Sequence, residues 1–247
     1  MYSGTWVNEV DRISYSKVNT FITCPLKYQF QYIDKLERKD PTSSQLLGSY
    51  IHEVLEHWRE GLDILEVSKL FESKYPLADE EKSVIPSLLD CAKKFYEPYA
   101  GLVAESELKL EYPLTDSTGK DIVIDGIIDK LYHSNDNKFV IVDFKTGRFK
   151  ADNQLQMKFY FYLLSRKRKY LAENMLGKVF YLRLEQQITH NIDEGDLNEF
   201  ENWLLTINEM VERTTKFTHS FSSMCRFCQY RNTDCQPYKI KKEKYQV

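Results

Sequence analysis

Glycine and proline are scarce in this chain, nine and seven residues of 247, and with a hydrophobic fraction of 42% that composition excludes a disordered or collagen-like polypeptide. No apolar run approaches the roughly 20 residues needed to cross a bilayer, so a membrane-spanning role is not expected. No secretory leader is recognisable, and an intracellular, reducing compartment is the expectation. Neither charge sign dominates, since 34 Lys and Arg against 37 Asp and Glu leave a net charge of -3. A nucleic-acid partner would therefore have to be met by a local basic track, not by the charge of the whole. There is no internal repeat and no low-complexity linker, and the chain is long enough for a sizeable core.

What is present concentrates between Gly126 and Lys145. Asp121 to Leu131 reads as a strand ending in Gly126-Ile-Ile-Asp129, Ser134 to Asn137 supply a turn, and Val140-Ile-Val-Asp143-Phe-Lys145 is a short β-branched run. Asp143 and Lys145 stand two apart and so leave the same face of a strand. Pairing of the hairpin would set Asp129 beside Asp143. Two adjacent carboxylates repel, and an oxygen-preferring divalent cation relieves the repulsion by taking both as ligands. A surface hairpin with an ordinary ion-pair network is the alternative. Downstream, Asp152 or Asn153 can cap a helix that carries Gln156 and Tyr160 on one face. Upstream, Gly48 precedes His52 by four in a helical stretch, although a lone helical histidine is more often structural than a ligand.

Cysteine usage makes a separate argument. Cys225, Cys228 and Cys235 form a Cys-x2-Cys-x6-Cys cluster, with Cys24 far upstream as a fourth candidate. Without an oxidising context, disulfides are disfavoured. Four thiolates suit zinc or an iron-sulfur cluster, and spacing does not choose between them. Cys91 lies in an apolar helical stretch and reads as a core residue.

Together, in this order, these pieces resemble the RecB-like branch of the PD-(D/E)XK nuclease superfamily. The resemblance implies a restriction-endonuclease-like α/β fold with an αβββαβ core and a mixed sheet. Gly48 and His52 resemble its Gly-x-x-x-His element, Gly126 and Asp129 its Gly-x-x-Asp, Asp143 and Lys145 its Asp-x-Lys, and Gln156 and Tyr160 its Gln-x-x-x-Tyr. It implies catalytic roles for Asp129, Asp143, Lys145, Gln156 and Tyr160. It also implies a magnesium or manganese ion on His52, Asp129, Asp143 and the main-chain carbonyl of Phe144. Some relatives with such a cysteine pattern, among them the AddB-type subunits and the small CRISPR-associated exonucleases, hold a four-iron cluster. Cys24, Cys225, Cys228 and Cys235 are thus expected to hold [4Fe-4S], with zinc or reduced thiols as the alternative.

The expected activity is metal-dependent hydrolysis of DNA, as an exonuclease on single-stranded ends. An endonuclease of the same superfamily, a non-catalytic end-binding subunit and a partner of a helicase or CRISPR integrase are the alternatives. The expected setting is the bacterial, archaeal or phage-encoded cytoplasm. Arg148 and Lys150, just beyond Lys145, are the preferred phosphate contacts. Arg166 to Lys169 and the lysines from Lys239 to Lys244 have duller readings, as cations at a helix C-terminus and as a solvated tail.

The expected organisation is a single domain: a mainly helical lobe over residues 1–100, a sheet core over 101–190, and a helix with the cysteine cluster over 191–247. Helices are expected at Ser16 to Leu36, Leu46 to Glu60, Ile64 to Ser73, Asp79 to Tyr96, Asn153 to Tyr170 and Gly195 to Arg213. Strands are expected at Glu105 to Leu114, Asp121 to Leu131, Lys138 to Asp143 and Lys178 to Leu184.

Overall fold

The computed structural model describes residues 11–245 except 38–39, 60, 135 and 151–152. In chain order its elements are β1 (Asp11–Ser14), α1 (Tyr15–Thr23), α2 (Pro25–Tyr28), α3 (Ser43–His57), α4 (Ile64–Lys69), α5 (Asp79–Lys82) and α6 (Ile85–Tyr96). Then come β2 (Val103–Thr115), β3 (Asp121–His133), β4 (Phe139–Lys145), α7 (Gln154–Leu163), β5 (Met175–Tyr181), β6 (Gln186–His190), α8 (Glu194–Arg213) and α9 (Gln236–Tyr245). The expected αβββαβ order is present in α3, β2 to β4, α7 and β5, and the fold is α/β with a mixed sheet. The helix expected at Ser16 to Leu36 is broken: α1 stops at Thr23, because Cys24 is extended and Pro25 restarts the chain as α2. Strand β6, short and half-polar, and helix α9 have no counterpart in the expectations.

The described residues fall into two compact units, 11–12 with 41–202 and 13–40 with 203–245. In the first, β2 pairs β3 and β3 pairs β4 antiparallel, β4 pairs β5 parallel, and β5 pairs β6 antiparallel. The parallel pair needs a crossover, which α7 supplies. Helix α3 begins with a capping box, in which Thr42 and Gln45 satisfy each other's backbone N–H groups. Its Leu47, Tyr50, Ile51, Val54 and Leu55 are buried, a stripe at helical spacing. They join Leu88, Leu89 and Cys91 of α6 and Tyr132, Val142 and Phe144 of the sheet in one core. Cys91 is a core residue, its thiol pushed up to about 11 by burial. Arg166, in the last helical turn that follows α7, binds Glu194, Glu201 and Asn198.

In the second unit Tyr28 packs against Phe21, Tyr32 and Phe217, and Phe30 against Tyr230. Tyr28, Phe30 and Tyr32 are half-buried and make ring contacts within this unit.

Helix α7 lies close to the sheet because two glycines face it. A Cβ on Gly126 would fall 2.8 Å from Leu163 Cδ1, and one on Gly177 would fall 2.9 Å from Phe161 Cζ. Leu163 and Phe161 are buried and have little room to yield. Gly126→Ala is therefore expected to cost about 1–3 kcal/mol of stability through overpacking. Urea unfolding of the purified variant checks this, and an unchanged midpoint would show that α7 can retreat freely.

Candidate active site

The β3–β4 ladder runs from His133↔Phe139 to Lys130↔Val142 and stops there. Its next pair would be Asp129 opposite Asp143. The backbone N–H of Phe144 instead donates to Asp129 Oδ2 at 2.9 Å, so a carboxylate takes the place of a main-chain acceptor. The Phe144 carbonyl faces His52 Nε2 at 2.9 Å, and His52 Nδ1 lies 3.4 Å from Asp129 Oδ2. Asp143 Oδ2 is 2.6 Å from Lys145 Nζ. Gln156 closes the circuit: its Nε2 donates to Asp143 Oδ1 at 2.9 Å and to Tyr160 Oη at 2.7 Å, and its Oε1 accepts from Lys145 Nζ at 3.0 Å. His52, Asp129, Asp143, Phe144, Lys145, Gln156 and Tyr160 are therefore one connected cluster built from α3, β3, β4 and α7.

Each charge in the cluster is poised by its neighbours. Burial pushes the Asp143 carboxyl up, Asp129 adds to the rise, and Lys145 holds it to about 6. Burial also opposes charge on Asp129, but His52, the Phe144 N–H and Lys145 together hold that carboxyl below its usual range. Burial opposes protonation of His52, yet the attraction of Asp129 outweighs it and raises the imidazole to about 9. An imidazole set between a carbonyl and a carboxylate needs a positive charge there, either its own proton or a metal ion.

One residue of the site went unnoticed in the sequence. Glu107 of β2 lies with His52 and Asp129 so that one ligand atom from each falls within 4.8 Å of the others. The β2–β3 register pairs Ser106 with Lys130 and Leu108 with Ile128, so Glu107 stands opposite Asp129 but is missing from the ladder. Its φ of 46° is left-handed, a conformation that costs a non-glycine residue about 1–2 kcal/mol. Burial and the Asp129 charge raise its carboxyl above the usual value. Counting both strands back from the turn at Asp116 to Lys120 would have placed Glu107 against Asp129.

The donor set of carboxylate oxygens, one imidazole and one carbonyl fits magnesium or manganese, which favour oxygen ligands. Other expectations fare differently. Asn153 precedes α7 without capping it through its side chain, which donates to Tyr181 Oη instead; Asp152 lies outside the described residues. Arg148 is exposed and pairs with Glu80 at 2.5 Å. Lys150 is exposed.

In the second unit Cys24, Cys225, Cys228 and Cys235 all line one cavity of about 270 Å³. All four are free thiols. Cys24 sits at the α1–α2 break and Cys225 in a short 3-10 turn, so that irregular backbone presents both. Among the described residues no three cysteines bring their sulfurs within 4.8 Å of one another. Tetrahedral zinc at about 2.3 Å from each sulfur would hold them about 3.8 Å apart.

A divalent cation held by His52 would need the imidazole in its neutral form, which the Asp129 charge disfavours. Manganese affinity is expected to rise between pH 6.5 and about 9, with about one proton released per ion at pH 7.5. Calorimetry in buffers of different ionisation enthalpy measures that release, and His52→Ala should abolish it. In EDTA the sign reverses. The raised His52 pKa stabilises the metal-free fold below pH 6.5, and that contribution is lost as pH rises through about 9.

The comparisons with known proteins agree with the geometry. The structure resembles that of the protein SSO0001, with a TM-score of 0.51 at 15% identity over 94% of this chain and 89% of that one. It also resembles a protein from Eubacterium rectale named only provisionally as an exonuclease, with a TM-score of 0.55 at 11% identity over 92% of each chain. At such identities the likeness concerns the fold. No curated protein sequence matches. The sequence profile of the PD-(D/E)XK nuclease superfamily, however, matches residues 12–235, nearly the whole chain, and the chain belongs to that superfamily.

Proposed function

We propose that the protein is a metal-dependent deoxyribonuclease of the RecB-like branch, acting as an exonuclease on single-stranded ends and leaving 5′-phosphate and 3′-hydroxyl products. The observation that carries the reading is the cluster in which Gln156 ties Asp143 to Lys145 while Asp129 accepts from the Phe144 N–H and His52 faces the Phe144 carbonyl. His52, Asp129, Asp143 and the Phe144 carbonyl would hold magnesium or manganese, with Glu107 as a further carboxylate within reach. The ion supplies Lewis acidity toward phosphate oxygen and acidifies bound water. Lys145 offsets charge growing on the phosphoryl oxygens as a point contact, and Gln156 fixes where its ammonium stands. Tyr160, hydrogen-bonded to Gln156, stays protonated because burial raises its hydroxyl well above the usual value. The preference for DNA and for ends rests on the family resemblance alone.

We further propose that Cys24, Cys225, Cys228 and Cys235 hold a [4Fe-4S] cluster that staples the second unit together. Support comes from their lining of one cavity. Anaerobically purified protein is then expected to contain roughly four irons per chain, and Cys228→Ser should lose both the iron absorbance and thermal stability. Zinc alone in such protein would overturn the assignment.

Cleavage of end-labelled linear and circular single-stranded DNA, with manganese, magnesium or EDTA, tests the activity. Linear DNA is expected to disappear only with metal while circles survive, and Asp143→Ala and Lys145→Ala should each lower the rate at least about a hundredfold. Cut circles would favour the endonuclease reading. Binding without cleavage, by protein that retains its iron, would favour an end-binding subunit. Co-purification with an integrase or helicase tests the proposed partners.

A further inference from the structure

Lys130, the residue after Asp129 in β3, is 4% exposed and donates one hydrogen bond, to the Leu55 carbonyl at 2.9 Å. An ammonium carries three donors, and a buried lysine is almost always paired with an acid. Here none reaches ion-pair distance among the described residues. Burial disfavours the charge, Arg59 adds repulsion, and Glu56 partly offsets it.

Lys130 lines a cavity of about 230 Å³ together with Arg59, Ser106, Trp58, Tyr96 and Gly101. Arg59 donates from one guanidinium nitrogen to the Glu56 and Trp58 carbonyls. Part of this is explained by α3, whose last carbonyls favour nearby cations. That capping uses one nitrogen of Arg59 and one proton of Lys130. The remaining donors and two positive charges stay beside the cavity, whose lining contains none of the residues of the metal site.

We propose that this cavity is a phosphate subsite, taking inorganic phosphate or a nucleotide phosphate monoester whose oxygens accept from Lys130, Arg59 and the Ser106 hydroxyl. A dianion would supply the acceptors the ammonium lacks in the place where a buried charge is otherwise uncompensated. The site also touches the metal cluster through the chain, since Lys130 follows Asp129 and Leu55 follows His52 by three in α3. The inference does not depend on the nuclease reading, because the binding it claims needs neither metal nor cleavage.

Thermal unfolding and calorimetry of the full chain in EDTA test it with phosphate, thymidine 5′-monophosphate, thymidine and chloride at matched ionic strength. Phosphate or the nucleotide is expected to raise Tm by about 5 °C or more at a hundredfold excess over Kd, with thymidine and chloride silent. Tighter binding of the nucleotide than of phosphate would identify a monoester as the ligand, and equal binding would identify free phosphate. Lys130→Met should abolish the shift while raising Tm in phosphate-free buffer, since it removes an unpaired buried charge. Arg59→Gln, on the surface, should weaken binding about tenfold and keeps the test open if the first variant misfolds. No shift in the wild type, an equal shift with chloride, or an undiminished shift in both variants would overturn the proposal.

Discussion

The site depends on the point where two strands stop pairing. Beyond Lys130 and Val142 the β3–β4 ladder gives way, and the Asp129 carboxylate accepts the Phe144 N–H that a continuing ladder would have used. One hydrogen bond thereby does two things. It satisfies a backbone donor next to a buried residue, and it leaves the Phe144 carbonyl turned toward His52 instead of into a strand partner. Asp129 and Asp143 are thus kept close without a ladder between them. Their mutual repulsion is what His52 on one side and Lys145 on the other compensate.

That arrangement holds only because four elements are locked around it. Helix α3 brings His52 on the border of a buried stripe, and α7 brings Gln156 and Tyr160 because Gly126 and Gly177 leave room for it. Gln156 is nearly buried and bonded to three partners, so it acts as a spacer that sets the distance between Asp143 and Lys145. The left-handed Glu107 is the strained member, facing Asp129 where the β2–β3 ladder skips a pair. Strain of this kind persists where surrounding structure over-determines it, here two strands in register on either side.

Much of this was legible in the residues. The Asp143-x-Lys145 spacing implied a shared strand face, the turn at Ser134 to Asn137 implied the hairpin, and the spacing of Gln156 and Tyr160 implied a common helix face. Each rests on a local period that tertiary packing has no reason to change. Arg148 shows the limit. Its position in the chain beside Lys145 says nothing of Glu80, 68 residues earlier, with which it pairs. The broken first helix was legible too, in Cys24-Pro25, where proline denies the preceding residue a helical backbone.

By itself, then, the sequence determined the αβββαβ order of the core, the superfamily and most of the residue types of both clusters, because periodicity and motif spacing are properties of neighbours along the chain. Only the tertiary structure decided that Glu107 joins His52 and Asp129, that Arg148 pairs with Glu80, and that Cys24 lines one cavity with the three C-terminal cysteines. Those facts depend on distances between segments far apart in the chain, which are set by strand register, by where a ladder ends and by how closely a helix can approach a sheet.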